Sequence, residues 1–219
     1  LEMTMNLYFD DPYVKEFSGK VVAVDGAHVV LARTYFFPQG GGQTGDAGTM
    51  NDARVVNVVT LNGSIVHVLE APSLLKPGDE VKCAVDWEKR YRKMRLHSAS
   101  HIVFYMMRDV FGDACTVASS GLLDETKERS DYLFNEPLDK AKLKEVEDRA
   151  NALIAGGGEI KTYRDPADPD ILWWEMGAWR MQCCGTHPKN AREIGRIAIA
   201  RGKKPGKGRE RIEISLAPQ

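Results

Sequence analysis

Two turn dipeptides, each set between runs of β-branched residues, place the tightest limit on how this chain folds. Asp25-Gly26 separates Gly19-Lys20-Val21-Val22-Ala23-Val24 from His28-Val29-Val30-Leu31-Ala32, and Asn62-Gly63 separates residues 54–60 from residues 64–69. Both dipeptides favour the positive φ values of two-residue hairpin turns, and Asn-Gly is the stronger of the two. After Lys76-Pro77-Gly78-Asp79, residues 80–86 set Val81, Cys83 and Val85 against charged neighbours, the period of a half-buried strand. Short strands at this spacing predict a small β-barrel or sandwich with Cys83 in its core.

Between the hairpins lies Phe36-Phe37-Pro38-Gln39-Gly40-Gly41-Gly42-Gln43-Thr44-Gly45-Asp46-Ala47-Gly48. Glycine at this density lets backbone approach a ligand closely or take φ > 0 repeatedly. The Lys-Ser/Thr ending of a P-loop is missing, which argues against a nucleotide cradle. A plain turn in an all-β domain competes with a contact surface for substrate or for the other domain. Gly40, Gly41, Gly42, Gln43, Thr44, Gly45 and Asp46 are the candidates for such contact.

At Trp87 strand patterning gives way to helix formers that continue to Phe111, so a domain boundary is expected near Asp86. The expected fold class is α+β. A small N-terminal β-barrel domain, residues 3–86, precedes a larger mixed α/β domain, residues 87–219, with helices packed on an antiparallel sheet. In the second part residues 112–123 and 129–134 read as strands. A helix runs from about Pro137 to Ala155, with Asn135 as its expected cap, Leu143, Val146, Ala150 and Leu153 on one face and Gly156-Gly157-Gly158 ending it. Residues 160–163, 194–200 and 211–215 read as further strands, and Trp173, Trp174 and Trp179 as packing residues or a pocket wall.

Charge is nearly balanced, with 30 Lys+Arg against 31 Asp+Glu, so attraction to an anion has to be local. Two local sites stand out. Lys89, Arg90, Arg92 and Lys93 open the long helix, and Lys203, Lys204, Lys207 and Arg209 crowd the loop before the last strand. Either group is a solvated face or a set of phosphate contacts. The four cysteines do not form a secreted disulfide pattern, no run nears the ~18 apolar residues of a membrane span, and no signal-peptide pattern opens the chain. A soluble, cytoplasmic protein is expected, with Leu1-Glu2 ahead of Met3 read as a vector remnant.

Two of the five histidines, His97 and His101, stand at i, i+4 and share a helix face. Further on, Gln182-Cys183-Cys184-Gly185-Thr186-His187-Pro188 offers a thiol and a third imidazole in a turn-prone segment. Three imidazoles and one thiolate suit tetrahedral zinc, Zn2+, and spacing alone admits either Cys183 or Cys184 as the thiolate. Hydroxyls beside the imidazoles, Ser98, Ser100 and Thr186, favour a working site over a closed one.

His97-Ser98-Ala99-Ser100-His101 and Cys183-Cys184-Gly185-Thr186-His187 resemble the paired metal motifs of the alanyl-tRNA synthetase editing domain and its free-standing AlaX relatives. Gly78-Asp79-Glu80-Val81 leading to Asp86 and Arg90, the glycine-rich stretch from Gly40 to Gly48, and the basic loop ending in Arg211-Ile212 resemble flanking motifs of the same family. The resemblance implies a trans-editing hydrolase that deacylates tRNA(Ala) mischarged with serine or glycine, with zinc held by His97, His101, Cys183 and His187. Cys184 departs from the glycine usual in the family. Ser100 is implied as a substrate contact, and Thr116, Ser119 or Ser120 stand in for a glutamine that the family often has after the helix. The expected catalytic set is therefore Ser100, Thr116 and Thr186, and the expected partner is the acceptor end of tRNA(Ala). Two other classes fit the residues: a zinc-stabilised RNA-binding module without catalysis, and a metal-dependent hydrolase of small esters or amides. Monomer and homodimer are equally open.

Overall fold

A computed structural model describes residues 4–218, the side chain of Ser120 excepted, so Leu1-Glu2 lies outside the described residues. The chain divides into two compact units, Leu1–Tyr91 with Cys184–Thr186, and Arg92–Cys183 with His187–Gln219. The first unit therefore ends within the long helix, beyond the expected boundary at Asp86, and takes back three residues from far along the chain.

The first unit holds β1 (Met5–Asn6), β2 (Glu16–Asp25), β3 (His28–Leu31), β4 (Arg33–Thr34), β5 (Gly48–Met50), β6 (Ala53–Leu61), β7 (Ser64–Leu69) and β8 (Glu80–Val85). Six of them close a barrel in the order β2-β3-β7-β6-β5-β8, while β1 pairs in parallel with β4. Both expected hairpins form. Asp25 pairs with His28 and Leu61 with Ser64, and Asn62 and Gly63 have φ of 50° and 79°, as a two-residue turn with both central residues left-handed requires. Val81, Cys83 and Val85 are buried in the barrel. His67 is fully buried there. Its Nδ1 lies 3.0 Å from Val29 O and its Nε2 2.9 Å from Thr34 Oγ1. Burial lowers its pKa to about 4, so it serves as a neutral structural imidazole.

The glycine-rich stretch is tied to this unit by a buried ion pair. Arg90, 0 % exposed, directs Nε to both Asp46 carboxylate oxygens (3.1 and 2.9 Å) and NH2 to Asp46 Oδ2. It also donates to Pro12 O (3.0 Å) and Tyr35 O (2.6 Å), and Phe37 N donates to Asp46 Oδ2 at 2.6 Å. Every lone pair so engaged offsets part of the desolvation cost of the two charges.

The second unit takes most of α1 (Trp87–Phe111) and then β9 (Cys115–Leu123), β10 (Glu128–Phe134), α2 (Lys140–Gly156), β11 (Lys161–Arg164), β12 (Leu172–Met176), β13 (Trp179–Gln182), β14 (Ile197–Arg201) and β15 (Arg209–Leu216). Antiparallel sheets form in the orders β14-β15-β10-β9 and β11-β12-β13. One core joins Leu96, Ile102, Val103 and Met107 of α1, Val146 and Ile154 of α2, Tyr132, Ile212 and Trp174. The α2 cap differs from expectation. Asp139, not Asn135, accepts from Ala141 N and Lys142 N, so the helix starts at Lys140, and Asn135 reaches Asp113 O instead. Strands β12 and β13, which carry Trp173, Trp174 and Trp179, form a hairpin closed by Gly177 at φ 59°.

Glu128 on β10 is 3 % exposed; Ser130 Oγ donates to its Oε1, and its Oε2 has no hydrogen-bond partner among the described residues. Burial pushes its pKa from 4.5 up to about 7, against the pull of the Ser130 hydroxyl and of Arg129. The folded state thus keeps a proton that the unfolded chain releases above pH 4.5, and stability falls as pH rises from about 4.5 to about 7, then levels. Glu128→Gln is expected to remove this loss. Urea unfolding should show the variant gaining on the wild type by about 3 kcal/mol between pH 5 and pH 8, whereas a constant difference would contradict a raised Glu128 pKa.

Candidate metal centre

Helix α1 places His97 and His101 one turn apart, their ring centroids 4.9 Å from each other. The same helix sinks Leu96, Ala99, Ile102 and Val103 into the core, which fixes the rotation of the histidine face. Cys183 follows β13 directly, and its amide donates to Leu172 O at 2.9 Å. His187 is 2 % exposed, with its ring centroid 4.4 Å from His97 and 5.1 Å from His101. One ligand atom from each of His97, His101, Cys183 and His187 falls within 4.8 Å of all the others. Cys183 is the thiol that joins the imidazoles.

The donors fit a metal ion. A tetrahedron with bonds of about 2.0–2.3 Å has edges of about 3.3–3.6 Å, and Cys183 Sγ lies 3.4 Å from His97 Nε2 and 3.2 Å from His187 Nε2. His101, one of the four clustered residues, has its Nε2 buried with no hydrogen-bond partner among the described residues, a ring nitrogen that a bound ion would engage. Burial lowers the His97 pKa to about 4. The same cause, with neighbouring imidazoles adding to it, holds His101 and His187 well below the ordinary histidine value. All three rings are neutral at pH 7, the state that ligates.

Ser98 orients one of these rings. Its Oγ lies 2.9 Å from His187 Nδ1 and 3.4 Å from the indole nitrogen of fully buried Trp174. A proton on Nδ1, donated to Ser98, leaves the Nε2 lone pair for the metal. Trp174 also packs edge-on against His101 at 4.9 Å. The sequence showed Ser98 only as one hydroxyl beside the histidines. Its position at i+1 from His97 gives no sign that it turns towards a residue so distant in the chain.

The three expected catalytic hydroxyls have different surroundings. Ser100, half-buried, donates from Oγ to His97 O at 2.7 Å and keeps acceptor lone pairs. Thr116 is exposed on β9, opposite Leu133. Thr186 is 1 % exposed and engaged by Gln43, so its hydroxyl is a structural group and not an open substrate contact. In the glycine-rich stretch, Gln43 and Asp46 are each 1 % exposed, Gly40, Gly42, Thr44 and Gly45 are half-buried, and Gly41 is exposed.

The basic run on α1 corrects the expectation drawn from it. Arg90 is sealed on Asp46, which stands 44 residues away in the chain, and Lys93 is 2 % exposed, so neither faces an RNA. Lys89 is half-buried near Asp86 at 3.7 Å, and half-buried Arg92 donates to Glu125 O. In the later loop, buried Glu210 takes Arg201 at 2.6 Å and Lys204 at 3.0 Å, while Lys203, Lys207 and Arg209 are exposed.

Fold and donor set together define a metal-binding α+β protein with an N-terminal barrel. Residues 7–89 match the family described as tRNA synthetases class II (A), and residues 175–213 the threonyl and alanyl tRNA synthetase second additional domain. Over 226 residues the chain is 34 % identical to the alanyl-tRNA editing protein AlaX-M of Pyrococcus horikoshii, covering 99 % of each. It is 31 % identical over 242 residues to the AlaX-M protein of Saccharolobus solfataricus, covering 99 % of this chain and 100 % of that one. An alanine–tRNA ligase of Saccharolobus islandicus matches all of this chain at 31 % identity, but over only 27 % of its own length. The chain belongs to the AlaX-M family of alanyl-tRNA editing proteins.

Ser98→Ala removes the acceptor that fixes His187. Outer partners of metal-bound histidines typically contribute 10- to 100-fold in affinity, so competition with a chromophoric chelator should show a loss in that range, with the chain still folded by circular dichroism.

Proposed function

We propose that the protein is a zinc-dependent trans-editing deacylase, which hydrolyses the ester joining serine or glycine to tRNA(Ala). The observation that carries this reading is the close cluster of His97, His101, Cys183 and His187 in a chain that matches alanyl-tRNA editing proteins end to end. Three nitrogens and one thiolate favour zinc over calcium or magnesium, which take oxygen ligands. When bound, zinc supplies Lewis acidity for an ester carbonyl or an acidified water.

The chain's own groups supply position and selectivity. Ser100 Oγ, with its proton committed to His97 O, accepts a hydrogen bond from the ammonium or hydroxyl of the aminoacyl group. A site that pairs the serine hydroxyl leaves polar groups unpaired with alanine, so the serine ester is favoured over the cognate one. A synthetic pocket for alanine cannot exclude smaller glycine or near-isosteric serine as well, which is why a hydrolytic second site is useful. Exposed Lys203, Lys207 and Arg209, with Thr116 on β9 as a further polar contact, engage the acceptor end of the tRNA, and that binding weakens with salt. A tRNA substrate supports a cytoplasmic location for the proposed activity; no helix among the described residues is long and apolar enough to cross a membrane.

The presence of four protein ligands favours one second reading, a closed structural zinc in an RNA-binding module. A single assay separates the two. Ser-tRNA(Ala) and Ala-tRNA(Ala) are incubated with the protein, with and without chelator. The expected result is loss of the serine ester alone, abolished by chelation and by His101→Ala. Survival of both esters with zinc bound would leave the structural reading in place.

A further inference from the structure

The three residues between the ligands Cys183 and His187 are gripped by the glycine-rich turn. Gly40 and Gln43 exchange backbone hydrogen bonds of 3.1 and 2.9 Å around Gly41 and Gly42, whose φ values of 56° and 85° make a tight left-handed turn. On one side of the grip, Cys184 Sγ lies 3.1 Å from where a Cβ on Gly41 would stand, so any side chain there presses on the loop. On the other side, Gln43 Nε2 donates to Thr186 Oγ1 at 2.9 Å and Thr186 N donates to Gln43 Oε1 at 3.2 Å. Both partners are 1 % exposed, so neither bond is easily replaced by water. The turn is itself anchored to the barrel, by Gln39 N on Val58 O and by Asp46, which receives Phe37 N and Arg90. Cys184, Gly185 and Thr186 accordingly group with the first compact unit.

We propose that Gln43 is a positioning residue for the metal centre, its side-chain amide holding Thr186 so that Cys183 and His187 stay at ligand spacing. The inference rests on the metal-centre reading above. It explains why a residue 140 positions upstream of the Cys183–His187 loop is buried against it with a two-point contact. It also assigns a role to a motif that supplies no ligand of its own. The effect is on the ligands' mutual geometry, so it is distinct from any contact with the substrate.

The test uses the full chain loaded with Co2+, whose thiolate charge-transfer and d–d bands report four-coordinate geometry, and follows metal transfer to excess chelator. Gln43→Met keeps the length and removes both bonds; Thr186→Val keeps the shape and removes the hydroxyl; Thr186→Ser restores it. Gln43→Met and Thr186→Val are expected to release metal at least about tenfold faster than the wild type, the range for outer partners of ligands, with altered d–d bands. Thr186→Ser should keep wild-type behaviour, and the double variant should release no faster than the faster single one, because both changes break one contact. Wild-type release and spectra in both single variants would overturn the inference. If Gln43→Met does not fold, equal release from Thr186→Val and Thr186→Ser would overturn it. A wild-type protein that takes up no Co2+ or Zn2+ would instead sink the metal-centre reading itself.

Discussion

Close packing of three imidazoles and a thiol within 4.8 Å of one another is the constraint on which the rest of the site depends. Packed this closely, the rings cannot all carry protons, and burial keeps them neutral with their lone pairs turned inward. Unpaired lone pairs in a core are costly, and His101 Nε2 has no partner among the described residues. A bound cation converts that cost into ligand bonds. The fold would therefore gain stability from an ion bound there.

Each ligand is held from behind by ordinary packing and hydrogen bonding. The core stripe of α1 sets the histidine pair, Ser98 and Trp174 set His187 and His101, and the amide of Cys183 is tied to the start of β12. Arg95 of α1 donates to Ile194 O at 2.9 Å and joins the helix to the segment that follows the ligand loop. Precision in such a centre comes from supports that are rigid and already satisfied in their own hydrogen bonding.

Features written in local chemistry were legible in the sequence. Asp25-Gly26 and Asn62-Gly63 announced their hairpins because turn type follows from the turn residues, and His97 with His101 announced a half-site because helical spacing alone aligns them. What escaped depends on distant partners. Arg90 read as a solvated cation or a phosphate contact because Asp46 is 44 residues away, and Gln43 read as part of a turn or a contact without a named partner because Thr186 is 143 residues away. The β12–β13 hairpin was missed for a different reason. Its tryptophans point alternately into the core and outward, and the run is too short for that period to stand out. The choice of Cys183 over Cys184 was open to spacing and is decided by geometry, since Cys183 Sγ reaches two imidazole nitrogens while Cys184 is exposed beside Gly41.

Under the proposed function, one zinc ion is held by three nitrogens and one sulfur. X-ray absorption at the zinc edge of the purified, metal-loaded protein tests it without reference to activity. The expected shell is one sulfur at about 2.3 Å and three imidazole nitrogens at about 2.0–2.1 Å, with the sulfur scatterer lost in Cys183→Ser and kept in Cys184→Ser. A shell of oxygen and nitrogen alone, or a sulfur signal that disappears with Cys184 and not with Cys183, would contradict it.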